Sequence, residues 1–236
     1  MTDLSALDGP AFEFAALERA RHYGRAIARE FATELCGRVL EVGAGVGQMS
    51  RVFADMPGVR ELVALEPEEA FAPVFRARVP DVRLIQGTTA TLDAGEHFDA
   101  AVMINVLEHI PDHVGTLREL RPHLHPRAPL CLLVPARPEL YAAIDARFGH
   151  VRRYTKPVLR QVLKEAGYTV ARLHYFNAIG YALWYLNFTL RGATTFNPTL
   201  VGAFDSTVFR AVNWVETHIV RPPVGQSLVA VAYPAS

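Results

Sequence analysis

Apolar positions along the chain fall into two alternating rhythms. Short apolar runs occur at 38–42, 61–65, 82–85, 98–104 and 130–134. Helix-period stretches lie between most of them, for example 67–79 and 112–124, while 88–95 reads as a loop or short turn. Upstream, Phe14, Leu17, Ala20, Ile27, Phe31 and Leu35 recur at roughly the helical period, which predicts a helix over 11–35. Downstream, the pattern predicts a helix over 156–166 stopped by Gly167, a strand over 169–176 and a last strand over 227–233. Alternation of strand and helix implies right-handed crossovers and a parallel sheet covered on both faces. The fold class is α/β, a doubly wound, Rossmann-like sheet of seven strands.

Between the last two strands lies an excursion over 177–225, too long for an ordinary connection. From Gly167 onward only Arg172, Arg191, Asp205, Arg210, Glu216 and Arg221 are charged, and the stretch 173–190 carries no charge at all. That raises a membrane span. His174, Asn177, Gly180 and Asn187 interrupt it and its length is at the short limit, so it reads as a buried or interfacial helix and no transmembrane segment is assigned. Tyr181, Trp184, Tyr185 and Phe188 recur at helical steps and predict one apolar stripe. The stripe is either a roof over an acceptor pocket, a plain core, or a homodimer surface. The domain reading is one unit over 1–236, with an N-terminal helical cap over 1–36 and an aromatic helical insertion over 177–225.

With 236 residues, half of them hydrophobic, the chain has ample core and no disorder signature. Twenty-four Lys and Arg balance 24 Asp and Glu, so no global charge favours nucleic acid as a partner. Two cysteines, Cys36 and Cys131, build no disulfide framework, and the first residues lack the pattern of a signal peptide. The expectation is a cytoplasmic enzyme.

The densest chemical signal is Val39-Leu40-Glu41-Val42-Gly43-Ala44-Gly45-Val46-Gly47, a strand running into glycines with a helix starting near Gln48. Glycines let the backbone turn tightly and a ligand approach closely. Glu66 ends the next strand, where a carboxylate can accept both hydroxyls of a ribose. Together they read as a nucleoside-cofactor site. The dinucleotide fingerprint fails by one residue, because Gln48 stands where its third glycine belongs.

Glu41-Val42-Gly43-Ala44-Gly45-Val46-Gly47 with Ala64-Leu65-Glu66-Pro67, and the string Asn105-Val106-Leu107-Glu108-His109-Ile110, resemble the motifs of class I S-adenosylmethionine-dependent methyltransferases. Gly149-His150-Val151-Arg152-Arg153-Tyr154-Thr155-Lys156, with Phe176-Asn177 and Pro223 to Leu228, is similar to a bacterial small-molecule subgroup associated with secondary metabolism. The resemblance implies an antiparallel last strand, S-adenosyl-L-methionine as cofactor and S-adenosyl-L-homocysteine as product. It implies that Gly43 and Gly45 line the methionine and ribose portion, with Glu41 orienting the loop. Glu66 would hold the ribose, Pro67, Thr88 and Thr89 would flank the adenine, and Asn105 with Leu107 would lie near the sulfonium. Two departures stand out: Thr88 replaces an Asp common beside the adenine, and Pro126-Arg127-Ala128-Pro129 replaces a double glycine before strand five.

Methyl transfer chiefly needs alignment and exclusion of water, plus a base if the acceptor is a hydroxyl or an acidic carbon. His150, after a glycine in the loop following strand five, is the candidate base, with His109 and Tyr23 as further catalytic candidates. Arg153, Tyr154, Tyr181 and Trp184 are the substrate candidates. Arg152 and Arg153 could equally pin the loop to Asp145 or to a carbonyl, and Tyr154 could simply pack. His109 and His113, with His123 and His125, invite a metal reading, but no Cys or carboxylate joins them at ligand spacing, so no metal is assigned. The expected activity is methyl transfer to a small, apolar or aromatic acceptor. Its rivals are an NAD(P)-dependent oxidoreductase and a non-catalytic cofactor-binding or membrane-surface protein.

Overall fold

The computed structural model describes residues 18–195 and 197–235. Seven strands form one sheet: β1 (Gly37–Val42), β2 (Val59–Glu66), β3 (Arg83–Gln86), β4 (Ala100–Ile104), β5 (Leu130–Pro135), β6 (Tyr168–Phe176) and β7 (Ser227–Pro234). Their order is β3-β2-β1-β4-β5-β7-β6. The first five are mutually parallel, and β7 runs antiparallel to both β5 and β6. All seven expected strands form, each within a few residues of its predicted bounds.

Alternate residues of each central strand face opposite layers. Leu40, Val42, Met103, Leu132 and Val134 pack on one side with Leu117, Leu120, Leu159 and Leu163 of α4 (His113–Leu120) and α6 (Lys156–Glu165). Val39, Val102, Cys131 and Leu133 pack on the other with Ile27 of α1 (Arg21–Glu30), Phe31 and Phe53 of α2 (Gln48–Ala54). Burial on both faces is why the strands appear in the sequence as nearly unbroken apolar runs.

Several boundaries differ from the periodic pattern. The helix expected over 11–35 is seen as α1, which ends at Glu30; residues 11–17, and the start of the 1–36 cap, lie outside the described residues. The 67–79 helix begins as a 3-10 turn and becomes α3 (Ala72–Arg78). The 112–124 helix gives way to a 3-10 turn at Arg121, where Pro122 has no N–H for an α-helical bond. A short helix, α5 (Ala143–Phe148), was not anticipated.

The insertion is helical but not continuous. Asn177, in the left-handed region, breaks the chain after β6 and caps α7 (Ala178–Trp184), its Oδ1 accepting the Gly180 N–H at 2.8 Å. A π-helical segment follows to Leu190, then α8 (Pro198–Phe204), a second π segment and α9 (Arg210–His218). No helix among the described residues is long and apolar enough to cross a membrane.

Candidate active site at the carboxyl ends of the strands

Chain direction through the sheet reverses between β1 and β4, so their carboxyl ends border the crevice where ligands bind in such sheets. Gly43, immediately after β1, has φ 72°, and a Cβ there would come 2.4 Å from the Val106 Cγ2. Only glycine fits that turn beneath Val106, the second residue after β4. The Glu66 carboxylate at the end of β2 accepts the Gly45 N–H at 2.7 Å and the Glu68 N–H at 2.9 Å. Burial pushes the Glu66 carboxyl upward while the two N–H donors pull it down. Glu41 is nearly buried below the loop. Burial, opposed by the Ser50 hydroxyl and reinforced by Glu66, pushes its pKa up to about 8, and its Oε2 has no hydrogen-bond partner among the described residues.

The remaining sequence candidates for this half sort unevenly. Asn105, at φ 51°, follows β4 and faces a cavity, its N–H held by the Leu133 carbonyl at 2.9 Å. Leu107 is wholly buried in the core. Pro67 and Thr88 are exposed, whereas Thr89 is buried and its hydroxyl donates to Glu119 at 2.7 Å.

That cavity, of about 520 Å³, lies between the strand ends and the insertion. Tyr23, Phe148, Trp184, Phe188, Phe204 and Phe209 make most of its wall apolar, and Asn105, His150, Arg153, Asn177 and Asp205 are among its polar residues. Tyr23 reaches it because Asp205 accepts the backbone N–H groups of His22 and Tyr23 at 2.8 and 2.9 Å, fixing the start of α1 against the insertion.

One buried carboxylate organises the polar wall. Asp145 on α5 accepts from His150 Nδ1 at 2.9 Å, from Arg153 Nε and Nη2 at 2.8 Å each, and from the Ala142 N–H at 3.0 Å. Arg153 also donates to the Ala136 carbonyl and lies 4.5 Å from the Trp184 ring centroid. His150 Nε2 is buried without a hydrogen-bond partner, 3.8 Å from Glu108 Oε1. His109 stands edge-on to the His150 ring at 4.7 Å; burial first, then His150, lowers its pKa to about 4. Pinning, considered for Arg152 and Arg153, occurs at both, since Arg152 donates to the carbonyls of Ile110 and Pro111.

Two substrate candidates lie away from the cavity wall. Tyr154 is fully buried, its hydroxyl donating to the Leu107 carbonyl at 3.1 Å. Local backbone is extended there, bridging to Ala136, so the alternation that turns Arg153 to the cavity turns Tyr154 to the core. Tyr181 packs at the edge of the Trp184 cluster, 5.7 Å from the Arg137 guanidinium. Trp184 itself is both roof and core: it lines the cavity, packs with Leu140, Ile144, Phe148 and Phe188, and donates its indole N–H to the Leu140 carbonyl at 3.0 Å.

The histidines read as a possible metal set separate. His113 meets Tyr154 and Arg152, and His123 meets the Glu96 carbonyl. Instead Glu108, His109 and His150 bring ligand-type atoms within 4.8 Å of one another. Sequence spacing could not show this grouping, because His150 comes from a distant loop.

A methyltransferase domain family model matches residues 15–173, well over half of the chain. The chain belongs to this methyltransferase family. Its sheet is the Rossmann-like one of solved S-adenosylmethionine-dependent methyltransferases. Over 111 residues it is 31% identical to the ubiquinone biosynthesis O-methyltransferase of Ruegeria pomeroyi; the match spans 44% of each protein, less than half of that relative. An S-adenosylmethionine-dependent methyltransferase of Clostridium acetobutylicum shares the fold at 8% identity, with a TM-score of 0.60 over 92% of each chain. A candidate methyltransferase of Bacillus halodurans does so at 19% identity and a TM-score of 0.61, over 89% of this chain and 99% of that one. The methyltransferase's own residues fit the cofactor: a glycine turn that a Cβ would fill, an orphaned carboxylate oxygen on Glu41 beneath it, and an acid ending β2.

Proposed function

We propose that this methyltransferase methylates a hydroxyl group of a small, largely apolar molecule seated under the insertion. The observation that carries the reading is His150 on the wall of the apolar cavity that reaches Asn105, with the buried Asp145 on its Nδ1. Bound S-adenosylmethionine supplies a methyl group already activated by a sulfonium. Gly43 and Gly45 would cradle it with Glu41 and Glu66, and Thr88, Thr89 and Pro67 would border its adenine. Thr89 would do so through its backbone, since its hydroxyl is engaged by Glu119.

The protein's work is then positioning, drying and proton removal. Asp145 fixes Nδ1 of His150 as the protonated nitrogen and leaves Nε2 with a lone pair for the acceptor's proton. Glu108 Oε1 lies 3.8 Å from that nitrogen. Arg153 holds Asp145 in place, and His109, kept neutral by burial, adds no competing charge. Trp184 and Phe188 exclude water from above. The O-methyltransferase activity in the name of the Ruegeria relative agrees with this assignment. We also assign a cytoplasmic setting, without nucleic acid as substrate, in keeping with the balanced charge.

The test is S-adenosylhomocysteine formation against a panel of phenols, alcohols and amines. Hydroxyl acceptors should turn over, and His150→Ala should lower kcat by about 10²–10⁴-fold while calorimetric affinity for S-adenosylhomocysteine stays unchanged. Turnover confined to amines, or a His150→Ala variant of normal kcat, refutes the reading.

A further inference from the structure

Among the described residues, α1 and α9 carry exposed arginines beside uncovered apolar side chains. On α1, Arg21, Arg25 and Arg29 are exposed four residues apart and share one face. The one acid of that helix, Glu30, is buried and pairs with His174 and Arg221. Glu18, just before α1, pairs with Arg78. Beside α1 packs α9, whose inward positions Asn213 and Glu216 are buried and whose Trp214 is 57% exposed and stacked on His218. Ile219 and Val220 follow at 67% and 60% exposure.

Both acids of the insertion are buried and engaged by backbone N–H groups. Asp205 caps α1, and Glu216 accepts the N–H groups of Asn177 and Ala178 at 3.1 and 2.9 Å. Between α1 and α9 runs a groove lined by His22, Arg29, Arg210, Trp214 and His218, with no carboxylate among its described lining residues. His22 is tied to Asp205, whereas Arg210 is exposed at the rim.

We infer that this face of the cap docks on an anionic phospholipid bilayer. Arg21, Arg25, Arg29 and Arg210 meet the phosphates, and Trp214, Ile219 and Val220 enter the acyl boundary. An apolar row flanked by cations is the composition of a surface that lies in a membrane interface, and no described helix is built to cross one. A second copy of the chain fits less well: a two-fold contact through this face sets arginine rows of one sign close together, whereas a bilayer supplies the opposite charge.

Flotation of the full chain with phosphatidylcholine vesicles, with and without phosphatidylglycerol, tests this independently of any acceptor. Binding should require phosphatidylglycerol and fall with salt. Tryptophan emission should shift to the blue, and Trp214→Phe should abolish the shift because Trp184 is already buried. Arg25→Glu with Arg29→Glu, and separately Ile219→Ser with Val220→Ser, should weaken binding at least roughly tenfold, with S-adenosylhomocysteine affinity retained as the control for folding. Absence of flotation overturns the proposal. So does equal, salt-insensitive binding to pure phosphatidylcholine, or full competition by soluble glycerol phosphate. A dimer in light scattering that the Ser variants dissociate, without flotation, assigns the face to a second copy and also overturns it.

Discussion

Replacing Asp145 by Asn tests whether the polar wall of the cavity is one unit. The carboxylate is wholly buried and receives four donor contacts: two from Arg153, one from His150 and one from Ala142. A carboxamide keeps the size but offers one oxygen and presents an NH₂ group to at least one of those donors. It also strips the contacting counter-charge from Arg153, whose side chain is 1% exposed. Removing one partner of a buried ion pair costs about 3–5 kcal/mol, mostly for the charge left behind. Urea unfolding of Asp145→Asn should show a loss of that size. Arg153→Met should cost a comparable amount, and the double variant much less than the sum, because the second change removes the charge that the first left unpaired. Nitrogen NMR should find His150 protonated at Nδ1 in the parent and in mixed tautomers in Asp145→Asn. A loss under about 1 kcal/mol, or strictly additive single changes, refutes the idea that Asp145 is the organising group.

Glu66→Ala should weaken S-adenosylhomocysteine by about 1.5–3 kcal/mol, the range for a hydrogen bond to a charged group, with the fold retained; unchanged affinity in calorimetry contradicts the β2 assignment. Glu41, raised from 4.5 to about 8 in the folded protein, holds its proton more tightly folded than unfolded, so its contribution to stability is present in acid and is lost as pH rises towards 8. Cofactor-free stability of the parent relative to Glu41→Gln should therefore fall by up to about 1.4 kcal/mol per pH unit between those limits, and denaturation curves that stay parallel across that range would contradict it. Trp184→Ala should cost about 3–5 kcal/mol and also raise the acceptor's Michaelis constant, whereas Trp184→Phe should lose about 1 kcal/mol for the indole bond; equal effects on acceptor and cofactor would deny it the roof.

The strands and the glycine loop were legible because their physics is local. A strand covered on both faces must be apolar throughout, and Gly43 must be glycine beneath Val106. What depends on side-chain direction was less legible. Arg153 and Tyr154 are adjacent in a string that resembles one motif, yet extended backbone sends one to the cavity and the other to the core. Thr89 is an adenine-side candidate in the sequence, but only the fold shows that Glu119 on α4 takes its hydroxyl. α5 has no strong periodic pattern in its six residues, so the helix presenting Asp145 was missed even though Asp145 was named as a partner for an arginine. The Glu108, His109 and His150 grouping depends on tertiary approach of two loops, which no single-chain spacing encodes.

Strain marks the same end of the sheet. The three described non-glycine residues with positive φ are Asn105 directly after β4, Arg137 just after β5 and Asn177 directly after β6. Each such corner costs about 1–2 kcal/mol for an ordinary side chain, and asparagine reduces that cost by bonding locally, as Asn177 does to Gly180. Arg137 has no such short reach. Its backbone N–H instead bonds the Tyr154 carbonyl at 2.9 Å, and its guanidinium lies over the rings of Tyr175 and Tyr181 and pairs with Glu139. The compensation therefore comes from the loop that continues Arg152-Arg153-Tyr154 and from the first turns of the insertion. Tyr154, though no part of the cavity wall, anchors this arrangement by bonding both Leu107 and Arg137. That places its role one layer behind the site: it ties the turn after β4 to the turn after β5, so that Asn105 and His150 face one cavity.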